Sequence, residues 1–176
     1  RRLKVRSLVG LLPMCATTVV EPWQRQRVPK IEAHFRERVR RVPALLQGIH
    51  PTGEGARGWG GRGILAVVDQ HRLRRILTKL VDEREFLSPF GVRALSLFHK
   101  RHPYVFRAGK SEYKVAYQPA ESDSGMFGGN SNWRGPIWFP VNYLLVESLE
   151  RYYHFYGESI TVECPTGSGR MMNLGE

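Results

Sequence analysis

Apolar residues recur at helical spacing along three stretches of this chain. In the first, from Gln24 to Leu46, they stand three or four residues apart and predict one amphipathic helix. Pro29 suits its first turn, whereas Pro43 predicts a kink or an end. The apolar stripe comprises Val28, Ile31, Phe35, Val39, Val42 and Leu45.

The other two stretches predict helices with well-defined ends. Asp69 is the expected N-cap of the second helix. The third helix runs from about Pro140 to Tyr156, with Pro140 in its first turn and Gly157 as its C-terminal stop. The predicted buried faces carry Leu73, Ile76, Leu77 and Leu80 in the second helix, and Val141, Leu144, Leu145, Leu149, Tyr152 and Tyr156 in the third.

The remaining segments are rich in glycine and polar residues. Residues 48–63 form a glycine-dense loop, and Ser88–Gly91 is a turn that leads into a short predicted helix ending near Phe98. Residues 112–118 alternate loosely and predict a short β-ribbon. Because long helices joined by long loops dominate this pattern, the sequence predicts an all-α fold whose loops carry the function.

Charge divides the chain into two unequal parts. The 176 residues carry a net charge of +11, with 23 basic and 8 acidic side chains in residues 1–110 and 4 basic and 8 acidic side chains in residues 111–176. The basic part predicts a solvated arginine-rich surface or a face that meets acidic parts of a longer parent protein. A nucleic-acid-binding module is the alternative, since such charge attracts phosphates.

The sequence predicts a soluble, cytoplasmic protein without a cofactor. No stretch reaches the roughly 18 apolar residues of a membrane span. Two cysteines, Cys15 and Cys164, are too few for a secreted disulfide scaffold of this size and favour a reducing compartment. His99 and His102 have ligand-like spacing, but no second pair completes a zinc site, so no metal is expected.

The polar loop from Glu121 to Asn142 holds the strongest chemical signal. It combines carboxylates, carboxamides, one arginine and two tryptophans at the start of an amphipathic helix. Flat aromatic faces cover the C–H surface of a pyranose, while Asp, Asn and Arg pair with its hydroxyls. The predicted sugar-binding residues are Glu121, Asp123, Trp133, Arg134, Trp138 and Asn142. Taken without any family resemblance, the tryptophans could equally be core residues.

Three motifs resemble glycoside hydrolase family 63, which includes processing α-glucosidase I and mannosylglycerate hydrolase. The most specific is Trp133-Arg134-Gly135-Pro136-Ile137-Trp138, followed by Asn142. Glu163-Cys164-Pro165-Thr166-Gly167-Ser168-Gly169 is similar to a Glu-containing Pro-Thr-Gly loop of that family, and Ser88–Ser96 is similar to a turn before one of its helices. The resemblance spans roughly residues 65–175.

This resemblance implies a section of an (α/α)6 toroid, a six-hairpin glycosidase that hydrolyses α-glycosidic bonds with inversion. Glu163 is then the candidate general base, and the general acid comes from the remainder of the parent catalytic domain. Arg93 is expected either to orient loops or a hydroxyl or to form a structural ion pair. Inversion needs two carboxyl groups roughly 6.5–9.5 Å apart and no metal or organic cofactor. The chain alone is therefore expected to be inactive, and a nonenzymatic sugar-binding domain remains an alternative. We expect the tryptophan–arginine motif and Glu163 to converge on one sugar-sized hollow.

Overall fold

The computed structural model describes residues 3–42, 58–120, 123, 125 and 133–176. In these residues, five α-helices alternate with four two-stranded antiparallel sheets. The helices are α1 Pro22–Arg27, α2 Pro29–Arg41, α3 Gln70–Leu80, α4 Phe98–Arg101 and α5 Phe139–Tyr156. The strands are β1 Thr17–Val20, β2 Gly63–Ala66, β3 Leu87–Ser88, β4 Gly91–Val92, β5 Tyr104–Ala108, β6 Ser111–Val115, β7 Thr161–Glu163 and β8 Met171–Asn173.

The predicted all-α fold class, a partial (α/α)6 toroid, is wrong for the described residues, which mix helices with small sheets. Each strand is only two to five residues long. Strands this short give too few positions for a period-two pattern, whereas a helix of 11 or 18 residues repeats its pattern several times. Hydrophobic spacing therefore did not predict these sheets, apart from the ribbon that contains β6.

The second and third predicted helices are confirmed. The carboxylate of Asp69 accepts the backbone N–H of Arg72 at 2.7 Å and caps α3, whose Leu73, Leu77 and Leu80 are buried. The third helix is α5, and Gly157 follows it with a positive φ of 54°, a conformation that favours glycine. The prediction of Leu144 on its buried face is wrong, because that side chain is 49% exposed, whereas Ser148 and Phe155 are buried.

The first predicted helix is divided. Val28 separates α1 from α2, so Pro29 begins a new helix rather than continuing one. No residue of α2 is buried among the described residues, and its predicted apolar positions Ile31 and Phe35 are exposed. Residues 43–46, including Pro43, lie outside the described residues.

The turn at Ser88–Gly91 is confirmed, but the helix predicted after it is wrong over residues 92–97. Leu87 and Ser88 pair with Val92 and Gly91 in a short hairpin, and helix α4 begins only at Phe98. The chain between them is held by long-range backbone hydrogen bonds instead, including one from Ala94 to the carbonyl of Pro136 at 3.1 Å. The ribbon expected at 112–118 is present in part, as strand β6 paired with β5.

The hydrophobic core joins the N-terminal turns, β2, α3 and α5. Its most enclosed members include Leu8, Met14, Leu73, Leu77, Leu145, Tyr152 and Ile160. Trp133 and Trp138 are half-buried and pack against this core from the loop before α5. The predicted sugar-binding motif is therefore built on the core rather than on a free loop.

Candidate sugar-binding site

Trp133 and Trp138 form an aromatic corner. Their ring centroids are 4.6 Å apart and the ring planes meet at 78°, an edge-to-face arrangement. The loop between them is fixed to the 93–94 segment by the bridge between Arg93 and Ile137 and by the hydrogen bond from Ala94 to Pro136. The edge of one half-buried indole thus packs against the face of the other at nearly a right angle.

Arg134 lies behind this corner and is only 3% exposed. Its Nη1 donates to Oε1 of Gln118 at 2.9 Å and lies 3.7 Å from Oδ1 of Asp123. The backbone N–H of Gln118 in turn donates to the carbonyl of Arg134 at 2.6 Å. Because the Asp123 side chain is 76% exposed, the buried guanidinium can orient a carboxylate that remains open to solvent.

Gly135 allows the 117–118 segment to approach the motif closely. Its φ is 144°, and a Cβ at this position would lie 2.7 Å from the ring of Tyr117 and 3.1 Å from the carbonyl oxygen of Gln118. Only glycine fits both the backbone conformation and the space. The glycine of the Trp-Arg-Gly-Pro motif therefore has a packing role in this structure.

Asn142 faces the backbone of strand β4. Its Oδ1 accepts the N–H of Val92 at 2.7 Å, and its Nδ2 donates to the carbonyls of Val92 at 2.9 Å and Trp138 at 3.1 Å. These contacts use both amide hydrogens and one acceptor position of the side chain. In the described structure, Asn142 fixes the start of α5 to β4 beside the corner.

Glu163 ends strand β7 and is half-exposed. Its carboxylate accepts the backbone N–H of Gly169 at 2.6 Å. Backbone hydrogen bonds from Gly167 and Gly169 lower the pKa of Glu163 below the ordinary carboxyl value of 4.5, so the group is ionised at neutral pH. The following loop docks on the end of α3, where Thr166 donates its N–H to Val81 and its hydroxyl to Thr78.

The predicted residues thus fall into two groups. Trp133, Arg134, Trp138 and Asp123 lie together, and Asn142 adjoins them through the Trp138 carbonyl. Glu163 belongs to the separate β7–β8 hairpin, and both groups attach to residues 81–94. Their convergence on a single hollow stays a prediction. Glu121 lies outside the described residues.

Sequence reasoning missed Tyr117 and Gln118, which contact Gly135 and Arg134 of the motif. Their only signal is their place at the end of the alternating 112–118 stretch. Arg93 is a positioning residue in this structure, since its Nη1 donates to the carbonyls of Glu83 and Leu87.

A groove of about 870 Å³ lies between the N-terminal segment and α3. It is lined by apolar side chains together with Arg6, Arg72, Arg75, Lys79 and Glu85, and it contains none of the predicted site residues. Glu85 is only 5% exposed, forms ion pairs with Arg6 and Lys79, and accepts a hydrogen bond from the Ser96 hydroxyl. Its carboxylate is therefore already engaged by the protein.

His99, His102 and Arg62 make contacts within the described part of the chain. His99 is buried, and its Nε2 accepts the N–H of Arg6 while its Nδ1 contacts the carbonyl of His102. Arg62, from the glycine-rich loop, is paired with Glu21 at 3.0 Å. Among the described residues, no group of three His, Cys, Asp or Glu side chains is arranged to hold a metal ion. In the same residues, no helix combines the length and apolarity of a bilayer-crossing segment.

Two half-buried indoles, a buried arginine and an exposed carboxylate thus lie together in this part of the molecule. The glycosyl hydrolase family 63 C-terminal domain matches residues 63–163 of this chain, which is more than half its length. The chain belongs to this family, and the resemblance carried by its motifs is confirmed.

Two fungal proteins are similar to the chain. The uncharacterized protein YMR196W of Saccharomyces cerevisiae is 46% identical over 181 residues, covering 99% of this chain and 16% of the relative. A probable mannosyl-oligosaccharide glucosidase of Schizosaccharomyces pombe is 32% identical over 89 residues, covering 51% of this chain and 8% of the relative. The chain therefore spans less than a fifth of the length of either protein. No solved structure gives a significant match.

Proposed function

We propose that this chain is a section of the catalytic domain of an inverting α-glycosidase that acts on oligosaccharides or small glycosides. The observation that carries the proposal is the family match over the segment that contains the tryptophan–arginine corner. The S. pombe relative, a probable mannosyl-oligosaccharide glucosidase, supports an oligosaccharide substrate. The unpaired Cys15 and Cys164 support a reducing, cytoplasmic compartment.

In this proposal, the corner holds the sugar and the arginine orients a carboxylate. The indole walls of Trp133 and Trp138 cover the C–H faces of a pyranose, and Asp123 accepts hydrogen bonds from its hydroxyls. Arg134 does not need to touch the sugar, because its buried guanidinium fixes Gln118 and Asp123. Asn142 sets the position of Trp138 relative to β4.

Glu163 is the proposed general base. Like any carboxyl group with a pKa well below 7, it is ionised at neutral pH, the state needed to take a proton from the attacking water, and the lowered pKa makes it a weaker base than an unshifted carboxylate. The second carboxyl group, the general acid, is supplied by the remainder of the parent catalytic domain in this proposal. The same hydrogen bonds to Gly167 and Gly169 also suit a carboxylate that simply anchors the hairpin, so the role requires a direct test.

The test of the base is Glu163→Gln in the full-length parent protein. Glutamine keeps an oxygen that accepts the Gly169 N–H but cannot take up a proton, so kcat on an aryl α-glucoside is expected to fall by about 10²–10⁴-fold while sugar affinity stays unchanged. Loss of thermal stability with unchanged kcat would instead make Glu163 an anchor of the hairpin. Near-normal kcat and stability would assign the base to another carboxylate.

The test of the corner is Trp133→Ala beside Trp133→Phe. The alanine variant is expected to weaken glucose binding by about tenfold, equal to roughly 1.4 kcal/mol, whereas phenylalanine retains a flat ring and most of the affinity. Trp23→Ala, which removes a half-exposed indole from α1, serves as the matched control and should leave affinity unchanged. Wild-type affinity in Trp133→Ala would refute the corner as a sugar site. Tight binding without hydrolysis by the intact parent would favour a nonenzymatic sugar-binding domain.

A further inference from the structure

The hairpin of β5 and β6, which we call the aromatic ribbon, has two unlike faces. The strand register sets Phe106 opposite Tyr113 and Tyr104 opposite Val115, so these four side chains share one face. The rings of Phe106 and Tyr113 lie 6.5 Å apart at an angle of 32°. The other face sets Arg107 against Glu112 in a 2.8 Å ion pair.

The aromatic face contributes nothing to the hydrophobic core of the described residues. Phe106 is 47% exposed and Tyr113 is 49% exposed, and no residue of either strand belongs to the core cluster. An aromatic pair across two strands stabilises the hairpin itself. That contribution leaves the outward surfaces of both rings open to a ligand.

The ribbon leads directly into the sugar-binding corner. Tyr117 lies two residues beyond Val115, the end of β6, and its ring lies against Gly135. The next residue, Gln118, is hydrogen-bonded to both the backbone and the side chain of Arg134. Tyr113 and Tyr117 are four residues apart, a distance of about 13 Å in an extended chain, and Tyr117 contacts the motif.

We propose that Phe106 and Tyr113 form a distal subsite that binds an outer sugar residue of an oligosaccharide whose end occupies the Trp133–Trp138 corner. This inference rests on the proposed function and adds a specificity for chain length. Half-exposed rings suit a sugar, because the ring covers the C–H face of a pyranose while its hydroxyls stay in water. The continuous path from the ribbon through Tyr117 to Gly135 favours a ligand shared with the corner over a separate partner.

The experiment compares the affinity of the full-length protein for glucose, maltose and longer linear α-linked glucose oligomers by calorimetry. The variants are Phe106→Val, Tyr113→Thr and their combination, since β-branched residues preserve strand propensity while removing the flat ring. Wild-type affinity is expected to rise with oligomer length. Each variant should bind the longer oligomers about fivefold more weakly than the wild-type protein does and should retain the wild-type affinity for glucose.

The matched control is Val105→Thr, on the opposite face of the same ribbon, which should change neither affinity nor its dependence on length. Circular dichroism melting of every variant identifies any that fails to fold. Trp133→Ala is measured in parallel, because loss of glucose binding in that variant tests the corner independently of the ribbon.

Three results would overturn the subsite. The first is a wild-type affinity that does not rise with oligomer length. The second is a combined variant whose affinity rises with length as much as that of the wild type. The third is a combined variant that changes self-association in sedimentation without changing sugar affinity. In the first two cases, the proposed function is still supported if the wild-type protein binds glucose and the Trp133→Ala variant does not. If the wild-type protein binds no sugar of any length, the proposed function fails together with the subsite.

Discussion

At the scale of single residues, long-range partners decide what each motif residue does. The tryptophans and Arg134 stand close together in the sequence, so their proximity could be predicted from a six-residue motif. Gln118 and Val92 could not be predicted as partners, because they lie 16 residues from Arg134 and 50 residues from Asn142. Hydrogen bonds across such separations leave no periodic pattern in the sequence.

Asn142 provides the residue-scale prediction for stability. In Asn142→Asp, a carboxylate replaces the Nδ2 donor and faces the carbonyl oxygens of Val92 and Trp138. We expect the free energy of unfolding, measured by urea titration, to fall by about 1–3 kcal/mol. Tyr143→Phe, the adjacent exposed position on the same helix, removes only a surface hydrogen bond to Glu147 and should change stability by less than about 0.5 kcal/mol.

The opposite result would change the role assigned to the Asn142 side chain. If Asn142→Asp folds with wild-type stability yet binds sugar more weakly, the side chain contacts the substrate, as its place in the motif first indicated. A parallel loss of stability and affinity agrees with a residue that positions Trp138.

At the scale of elements, helices α3 and α5 followed their hydrophobic spacing, whereas α2 buries none of its apolar positions. Of the four hairpins, only the β5–β6 ribbon was predicted from its alternation. Helix α5 repeats its buried positions at Val141, Leu145, Ser148, Tyr152 and Phe155, and the sequence predicted its range to within a residue. The β7–β8 hairpin has only three residues in each strand and depends on pairing across a seven-residue connection for its form. Its existence could not be read from local pattern alone.

The start of α3 provides the element-scale prediction. Asp69→Ala removes the acceptor for the Arg72 N–H and is expected to lower the free energy of unfolding by about 0.5–2 kcal/mol. Asp69→Asn keeps a capping oxygen and loses the charge, so it should retain most of the stability. The 3.4 Å ion pair between Asp69 and the exposed Arg72 side chain contributes little, because water screens it. Equal destabilisation by alanine and asparagine would show that charge rather than capping stabilises this end.

At the scale of the whole molecule, arginines of the basic N-terminal part pair with carboxylates of the same part. Arg36 pairs with Glu32, and Arg41 with Glu37, along the exposed surface of α2. These pairs favour a solvated arginine-rich helix over a surface reserved for phosphates. Steeply salt-dependent binding of DNA or RNA in a gel shift would contradict this interpretation.

The most buried carboxylate among these ion pairs is that of Glu85, which connects segments far apart in the chain. Arg6 comes from the N-terminal segment, Lys79 from α3 and Ser96 from the chain after β4. Burial raises the pKa of Glu85, but the Ser96 hydroxyl and the charges of Lys79 and Arg6 together lower it by more. The net shift of the pKa is therefore downward from 4.5. The carboxylate is therefore more stable in the folded protein than in the unfolded chain.

A lowered folded-state pKa fixes how stability depends on pH. The contribution of Glu85 is fully present above the unfolded value of 4.5 and is lost as pH falls through the lower folded value. Glu85→Gln should therefore melt at a lower temperature at neutral pH and lose less stability than wild type on acidification. Glu112→Gln, which removes a carboxylate from an exposed ion pair, should leave the acid slope unchanged. Parallel melting-temperature profiles for wild type and Glu85→Gln would show that this buried cluster does not control acid unfolding.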